Sequence, residues 1–258
     1  MHIRLSAVIQ LFDGYRMRPV RASEVSFLFD RAPVRPVYKQ PGFFAFSNLP
    51  PGPVKIDILS AIFLPETLEV ELPEEARSYC KIYRALNPGR TYPFRSAPTA
   101  LSGRLVNNGV PSAHTQMLFY TTESRELLKV SQNDLKAGAT EIKLFSSQQT
   151  WRLPLPGKFL ILDKNEKNRE MAFITDAHNG DNVYPLGGTL KYGHERATPL
   201  IEVMEFSTAA DGSFYFAVPE RNDTAGQAQL EIPAGKSWQV SITHGRETDV
   251  GDIVDTWP

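Results

Sequence analysis

The sequence has few of the residues on which many functional sites are built. Its 258 residues include one cysteine, Cys80, so an intrachain disulfide cannot form. That count fits a reducing compartment, and it equally fits an exported protein that needs no disulfides. No two of the five histidines are two or four residues apart, which is the spacing typical of a metal-binding pair. We therefore expect neither a disulfide framework nor a metal site.

Long apolar runs and charge of one sign are also lacking. No stretch approaches the roughly 20 apolar residues that span a bilayer, and we expect no membrane span. The N-terminal segment has no signal-peptide core, because Gln10, Asp13 and Arg16 interrupt it early. We therefore expect synthesis in the cytoplasm without a signal peptide. The formal net charge is -1, which predicts no general attraction to nucleic acid.

Motifs for catalysis and cofactor binding are missing as well. The sequence contains neither a Gly-x-Ser-x-Gly nucleophile motif nor a Gly-x-x-x-x-Gly-Lys-Ser/Thr phosphate loop. Residues 176–182 only superficially resemble a calcium loop, since the positions of the glycine and of the final ligand do not match. We predict no catalytic residue, no cofactor and no metal ligand, and therefore a protein that is not an enzyme.

What the sequence does have is turn residues and short alternating segments. Twenty prolines and seventeen glycines favour many turns and short strands over long helices. Segments such as Thr67-Leu68-Glu69-Val70-Glu71-Leu72 alternate apolar and polar residues, as half-buried strands do. This pattern continues along the chain and predicts an all-β protein.

One phrase occurs twice. Residues 40–50 read QPGFFAFSNLP, and residues 210–219 read ADGSFYFAVP. Each copy consists of a turn, a glycine, an aromatic strand and a proline, and each precedes another alternating segment. Such an internal repeat indicates a duplicated β module.

The spacing around the two copies predicts the domains. Residues 1–92 form an N-terminal β-sandwich, and residues 98–130 plus 206–258 form a second one. The second copy of the phrase comes late, which indicates that residues 131–205 are inserted as a small β-barrel. Insertion at an exposed loop tip is the usual way in which one domain accommodates another.

Parts of this sequence resemble two known families. The strands from Leu101 to Val106 and from Asp211 to Phe216 resemble carboxypeptidase-regulatory-like, transthyretin-related β-sandwiches, which are Ig-like in architecture. The insert, with strands near residues 137–144, 155–163 and 170–175, resembles a short β-domain of bacteriophage tail and virion proteins. The first resemblance implies a folding or binding module without catalysis. The second implies a component of a virion-like particle.

The candidate interaction residues are aromatic. We interpret Phe44 and Tyr215 as the off-phase members of the two aromatic strands, which stack on a sugar or a neighbouring subunit, or else fill a second buried face. Trp151 and the C-terminal Trp257 complete the predicted surface. The C-terminal segment either docks on another chain by strand addition or folds back on its own sandwich.

The predicted function is structural: a non-enzymatic adaptor in a phage tail or phage-tail-like contractile injection particle, which contacts other protein subunits. An alternative is a carbohydrate- or cell-surface-binding module, for which Trp151, Trp238 and the off-phase aromatics have to be exposed and coplanar. A second alternative is a hydrolase, for which Asp176, His178 and His194 have to converge in one cleft.

Overall fold

The computed structural model describes residues 4–75, 78–121, 128–146, 157–175, 181–220, 225–232 and 236–255. Almost all regular structure in these ranges is β-strand, which confirms the predicted all-β class. Two 3₁₀ turns, Ala22–Glu24 and Glu166–Asn168, are the described helical elements. Within the described ranges, no helix is long and apolar enough to cross a bilayer.

The strands are numbered in chain order. Those of the first half are β1 (Leu5–Asp13), β2 (Ser26–Phe29), β3 (Ala32–Val34), β4 (Val37–Lys39), β5 (Phe43–Ser47), β6 (Gly52–Leu59), β7 (Glu66–Leu72), β8 (Cys80–Leu86), β9 (Ala100–Asn107), β10 (Val110–Pro111), β11 (Gln116–Thr121) and β12 (Leu128–Val130). Those of the second half are β13 (Asp134–Leu135), β14 (Glu141–Ser146), β15 (Gly157–Ile161), β16 (Glu170–Ile174), β17 (Val183–Pro185), β18 (His194–Glu195), β19 (Pro199–Ser207), β20 (Ser213–Ala217), β21 (Gly226–Glu231), β22 (Ser237–Ile242) and β23 (Glu247–Val254).

The described residues belong to two compact units. Unit 1 comprises Met1–Ser102, Tyr215–Asp223 and Gly245–Glu247, and unit 2 comprises Gly103–Phe214, Thr224–His244 and Thr248–Pro258. The three-domain division expected from the sequence stays a prediction.

Unit 1 is a sandwich of two four-stranded sheets. One sheet has the order β4-β5-β1-β8 and the other has the order β3-β2-β6-β7. The two sheets share one apolar core, in which Phe27 of β2 packs against Phe44 and Phe46 of β5, with ring centroids 5.0 and 5.2 Å apart. Alternate residues of β1 point into this core, and each fully buried side chain stabilises the fold by about 1.5–3 kcal/mol.

The first copy of the repeated phrase closes around a glycine. Gly42 has φ +74°, and a Cβ at this position would lie 2.7 Å from the Leu11 carbonyl oxygen and 3.0 Å from Pro19 Cβ. The Leu11 N–H donates to the Gly42 carbonyl oxygen at 2.9 Å, and the Val20 N–H donates to the Leu11 carbonyl oxygen at 3.0 Å. The turn therefore accepts only glycine at this position.

The second copy repeats this arrangement. Gly212 has φ +76°, and its Cβ would lie 2.6 Å from the Leu105 carbonyl oxygen and 3.1 Å from Pro111 Cβ. The Leu105 N–H donates to the Gly212 carbonyl oxygen, and the Ser112 N–H donates to the Leu105 carbonyl oxygen, both at 2.9 Å. The two copies therefore share both their hydrogen bonds and their close contacts. The strand that follows each glycine also has an equivalent partner: β5 pairs with β1, and β20 pairs with β9. Each partner has a second neighbour, which is β8 for β1 and β23 for β9.

Unit 2 contains a nine-stranded sheet. The main path is β17-β14-β12-β19-β11-β21-β22, and β15 pairs with both β16 and β19. The long strand β19 joins two parts of this sheet. Near its start it pairs with β12 (Leu200 opposite Leu128), and near its end it pairs with β11 (Phe206 opposite Met117).

Unit 2 contains an apolar core formed by residues between Leu128 and Leu200. The buried side chains of this core are Leu128, Val130, Leu135, Ile142, Leu144, Phe159, Ile161, Ala172, Ile174, Tyr184, Leu190 and Leu200. Strands β12, β14, β15, β16, β17 and β19 curl around it.

The predicted small β-barrel is corrected to a curled sheet, because no full ladder closes the ring among the described strands. β16 meets the segment after β17 at one isolated bridge, Ile174–Leu186, flanked by hydrogen bonds from Thr175 to Pro185 and from Gly187 to Phe173. Pro185 has no N–H to donate, which limits the pairing at this point.

Candidate functional site

The most concentrated group of ionisable side chains in the insert surrounds His194. Its Nδ1 lies 2.8 Å from Asp163 Oδ2 and its Nε2 lies 3.0 Å from Glu170 Oε1. Glu170 also accepts the N–H groups of Lys191 at 2.8 Å and of Tyr192 at 2.9 Å. Both ring nitrogens therefore face carboxylate oxygens, which accept a hydrogen bond from a ring nitrogen that carries a proton.

Three elements position this group. His194 lies on β18, which pairs with β13 so that His194 is opposite Leu135. Glu170 begins β16, opposite Ile161 at the end of β15, and Asp163 lies in the loop that joins these two strands. The imidazole is fully buried, and both of its nitrogens are occupied. His194 thereby joins β18 to the loop between β15 and β16 and to the start of β16.

The carboxyl group of Asp163 has a shifted pKa. Burial acts to raise it, but the hydrogen bonds from His194 and from the Asn165 N–H outweigh burial, and the pKa lies below the usual 3.8. A carboxylate with a lowered folded-state pKa stabilises the fold at pH values above its unfolded pKa. That contribution is lost as the pH falls through the folded-state pKa.

We predict that Asp163→Asn makes the urea midpoint of unit 2 less dependent on pH at acid pH. The wild-type urea midpoint should fall as the pH drops below about 4, and the variant should lose less over the same interval because it has no carboxylate to protonate at this site. The measurement is urea unfolding between about pH 3 and pH 6 at constant ionic strength.

The matched control for this prediction is Asp134→Asn. Asp134 lies in the same insert, and 74% of its side chain is exposed. It should therefore reproduce the wild-type dependence on pH. A variant Asp163→Asn whose profile runs parallel to wild type would show that the Asp163–His194 pair does not determine this pH dependence.

A second buried cluster centres on Asp13 in unit 1. One carboxylate oxygen accepts the N–H groups of Tyr15 at 3.0 Å and Arg16 at 3.1 Å. The other accepts the Tyr92 hydroxyl and lies 3.2 Å from Arg18 Nε. The Asp13 side chain is fully buried and uses both oxygens, so it ties the turn after β1 to the segment after β8.

The Asp13 cluster extends outward through Arg18. The Arg18 guanidinium makes a bidentate pair with Glu24, at 2.9 and 2.6 Å. Burial, together with the hydrogen bond to Asp13, raises the pKa of Tyr92. The Tyr92 ring packs against Phe94 and Tyr15, with centroids 4.8 and 5.7 Å apart. This cluster therefore joins buried hydrogen bonds, ion pairs and packed aromatic rings in one structural hub.

The predicted aromatic surface is wrong at Phe44. Only 2% of its side chain is exposed, and its ring packs against Phe27 and Tyr38 in the core of unit 1. Phe44 and Phe46 are two residues apart and so point to the same face of β5, which makes Phe43 the residue on the opposite face.

Tyr215 is half-buried within unit 1. The Arg90 guanidinium carbon lies 4.5 Å from the centroid of its ring, and Arg90 also makes a bidentate pair with Glu247, at 2.7 and 2.8 Å. The hydrogen bond from Arg90 lowers the pKa of Glu247, and burial raises the pKa of Tyr215. A residue of the same chain thus covers the ring, and a role for Tyr215 in partner contacts stays a prediction.

Four of the remaining predicted residues lie outside the described residues: Trp151, Trp257, Asp176 and His178. Of the proposed hydrolase set only His194 is described, and its partners are Asp163 and Glu170. Trp238, which the carbohydrate alternative requires to be exposed, is half-buried in β22. Within the described ranges, no group of three or more His, Cys, Asp or Glu side chains is arranged to hold a metal ion.

Comparison with known proteins gives little help. No family model and no curated protein match the chain. Among solved structures, the major pilin subunit BcpA of Bacillus cereus is 9% identical over 98% of this chain and 99% of its own, with a TM-score of 0.26. A streptococcal ancillary pilin is 9% identical, with a TM-score of 0.24, and the chain spans 62% of its length. The Bacillus anthracis TIE protein is 11% identical over 98% of this chain and 50% of its own, with a TM-score of 0.24. Similarities this low carry no argument about fold or function.

Proposed function

We propose that this chain is a non-enzymatic structural protein that contacts other protein subunits of an assembly. The observation that carries the proposal is the duplicated glycine turn, which builds the same tight arrangement around Gly42 and around Gly212. Two copies of one β module with tightly packed interiors have little conformational freedom. A rigid chain of this kind suits a spacer or adaptor.

The buried ionisable groups support the same role. Asp13 and His194 are each surrounded by hydrogen-bonding partners of the chain itself. Both side chains are buried and join segments that are distant in the sequence. We therefore expect the chain to act through its surfaces, by contacts with other protein subunits.

Within this role we propose a phage tail or phage-tail-like contractile injection particle as the assembly. This narrower proposal depends on the resemblance of residues 131–205 to short β-domains of phage tail and virion proteins. Genes for a sheath, a tube and a baseplate beside the gene for this chain would support it.

The test is fractionation of native cells by sedimentation, followed by cross-linking and mass spectrometry. We expect the chain to sediment with a large particle and to form cross-links to its subunits. A chain that sediments as a free protein without cross-linked subunits would rule the proposal out. Hydrolytic activity of the purified chain that is lost in His194→Gln would instead support the hydrolase alternative.

A further inference from the structure

Strand β22 forms an open edge of the nine-stranded sheet of unit 2. It is the last strand of the path, and its one sheet neighbour among the described strands is β21. Its sequence, Ser-Trp-Gln-Val-Ser-Ile, contains neither a charged residue nor a proline. An uncharged edge strand of this length is a template for pairing with another strand.

The alternation of hydrogen-bonded and non-hydrogen-bonded pairs between β21 and β22 shows which main-chain groups of β22 point to the open edge. The Ile232 N–H donates to the Lys236 carbonyl oxygen at 3.1 Å, just beyond the pair Glu231–Ser237. Hydrogen-bonded and non-hydrogen-bonded pairs alternate in antiparallel sheets, so Trp238, Val240 and Ile242 bond inward to β21. The N–H and C=O groups of Ser237, Gln239 and Ser241 therefore point to the open edge, where no main-chain partner lies within the described part of the chain.

The edge strands of the other sheets are less suited to pairing. β4, β7, β8 and β23 carry charged residues, and β3 contains proline, as does β17 at the opposite end of the nine-stranded sheet itself. β20 is also uncharged, but none of its side chains is fully exposed. In β22, by contrast, Ser237, Gln239 and Ser241 are all exposed. Charges and prolines are the usual means by which proteins block edge pairing, and β22 has neither.

We propose that β22 pairs antiparallel with β22 of a second copy of this chain, about a two-fold axis at Gln239. In this register Gln239 lies opposite Gln239 of the partner subunit, and Ser237 lies opposite Ser241 of the partner subunit. The outward-facing groups of each strand then bond to those of the other, which forms about six main-chain hydrogen bonds.

The side chains of β22 are compatible with this symmetric pairing. On the inward face, Trp238 comes opposite Val240 of the partner subunit, so two half-buried apolar side chains cover each other. On the opposite, exposed face of the sheet, the side chains that meet are those of Ser237, Gln239 and Ser241 of the two copies. Strands such as β7, with Glu66, Glu69 and Glu71, would bring carboxylates together on self-pairing. A second copy is thus an occupant whose chemistry matches this edge along its whole length.

The test is analytical ultracentrifugation of the full chain and of Gln239→Lys. At roughly 100 μM the wild-type mass should approach twice 28.9 kDa. Two lysines would face each other across the axis in the variant, and the dissociation constant should rise about tenfold or more. Val110→Lys is the matched control, since Val110 lies on the short edge strand β10 with 65% of its side chain exposed. It should dimerise as wild type does.

A charge exchange makes the test specific to Gln239. Gln239→Lys and Gln239→Glu should each dimerise about tenfold more weakly than wild type or worse, and their equimolar mixture should recover the dimer because Lys and Glu then face each other. Far-UV circular dichroism establishes that both variants are folded. A wild-type monomer at every concentration, unchanged dimerisation of both variants, or no recovery on mixing would each overturn the proposal.

This inference deepens the proposed structural role, and the two can fail separately. A chain that is monomeric in the centrifuge but cross-linked to particle subunits in cells would refute the β22 pairing alone. A chain that dimerises through β22 but sediments free of any particle would refute the assembly role alone.

Discussion

Asp13→Asn is expected to destabilise unit 1 by about 3–5 kcal/mol, because it removes one partner of a buried ion pair. The Asp13 carboxylate accepts three hydrogen bonds, two from main-chain N–H groups and one from the Tyr92 hydroxyl, and it forms an ion pair with Arg18. An asparagine amide has one acceptor oxygen, and its NH₂ group would face donors. Arg18 would keep Glu24 but lose its buried partner.

Hydrogen exchange followed by mass spectrometry measures this effect within unit 1. Peptides from β1 and β5 should exchange through a lower-energy opening in the variant. The matched control is Asp30→Asn, at an exposed turn between β2 and β3 of the same unit. It should change the opening free energy by no more than about 0.5 kcal/mol. Equal effects of the two substitutions would show that Asp13 is not the hub described above.

The second large effect is expected at Gly212. Gly212 and Gly109 have nearly the same backbone conformation, with φ +76° and +78°. A Cβ at Gly212 would lie 2.6 Å from the Leu105 carbonyl oxygen, whereas a Cβ at Gly109 meets nothing within 4 Å. Gly109→Ala should therefore cost only the backbone penalty of about 1–2 kcal/mol. Gly212→Ala should cost about 3–5 kcal/mol, because the steric clash adds to that penalty.

Tryptophan fluorescence during urea unfolding measures both glycine variants. All three tryptophans belong to unit 2, so the signal follows the unit that contains Gly109 and Gly212. The difference between the two variants isolates the cost of the steric contact from the cost of the positive φ. Two equal losses would mean that the turn relaxes around a methyl group. Gly42→Ala should behave like Gly212→Ala, but in unit 1.

The repeat was visible in the sequence because its physical cause is local. A positive φ beside a carbonyl oxygen requires glycine, and an aromatic strand follows it in both copies, so Gly42 and Gly212 mark the turn by themselves. The all-β class followed from alternation and turn residues in the same way. Phe44 was assigned to the wrong face, although its spacing of two from Phe46 places both on one side of the strand.

The two ionisable clusters could not be predicted, because their members are far apart in the chain. His194 is 31 residues from Asp163 and 24 from Glu170, and Tyr92 is 79 residues from Asp13. Only the pairing of distant strands brings these side chains together. The parallel pairing of β1 with β8 is likewise invisible to local patterns. The isolated bridge between Ile174 and Leu186 is equally hidden from local patterns, because its two residues come together only in the folded sheet.

The course of β19 has a mechanical consequence. Its nine residues extend over about 30 Å and are hydrogen-bonded to the insert at one end and to β11 at the other. No flexible linker separates the two parts at this strand, so a force applied at the end that pairs with β12 passes along a continuous backbone to the end that pairs with β11. Tension along β19 would load many hydrogen bonds in shear at once, and the insert would transmit a pull instead of swinging on a hinge.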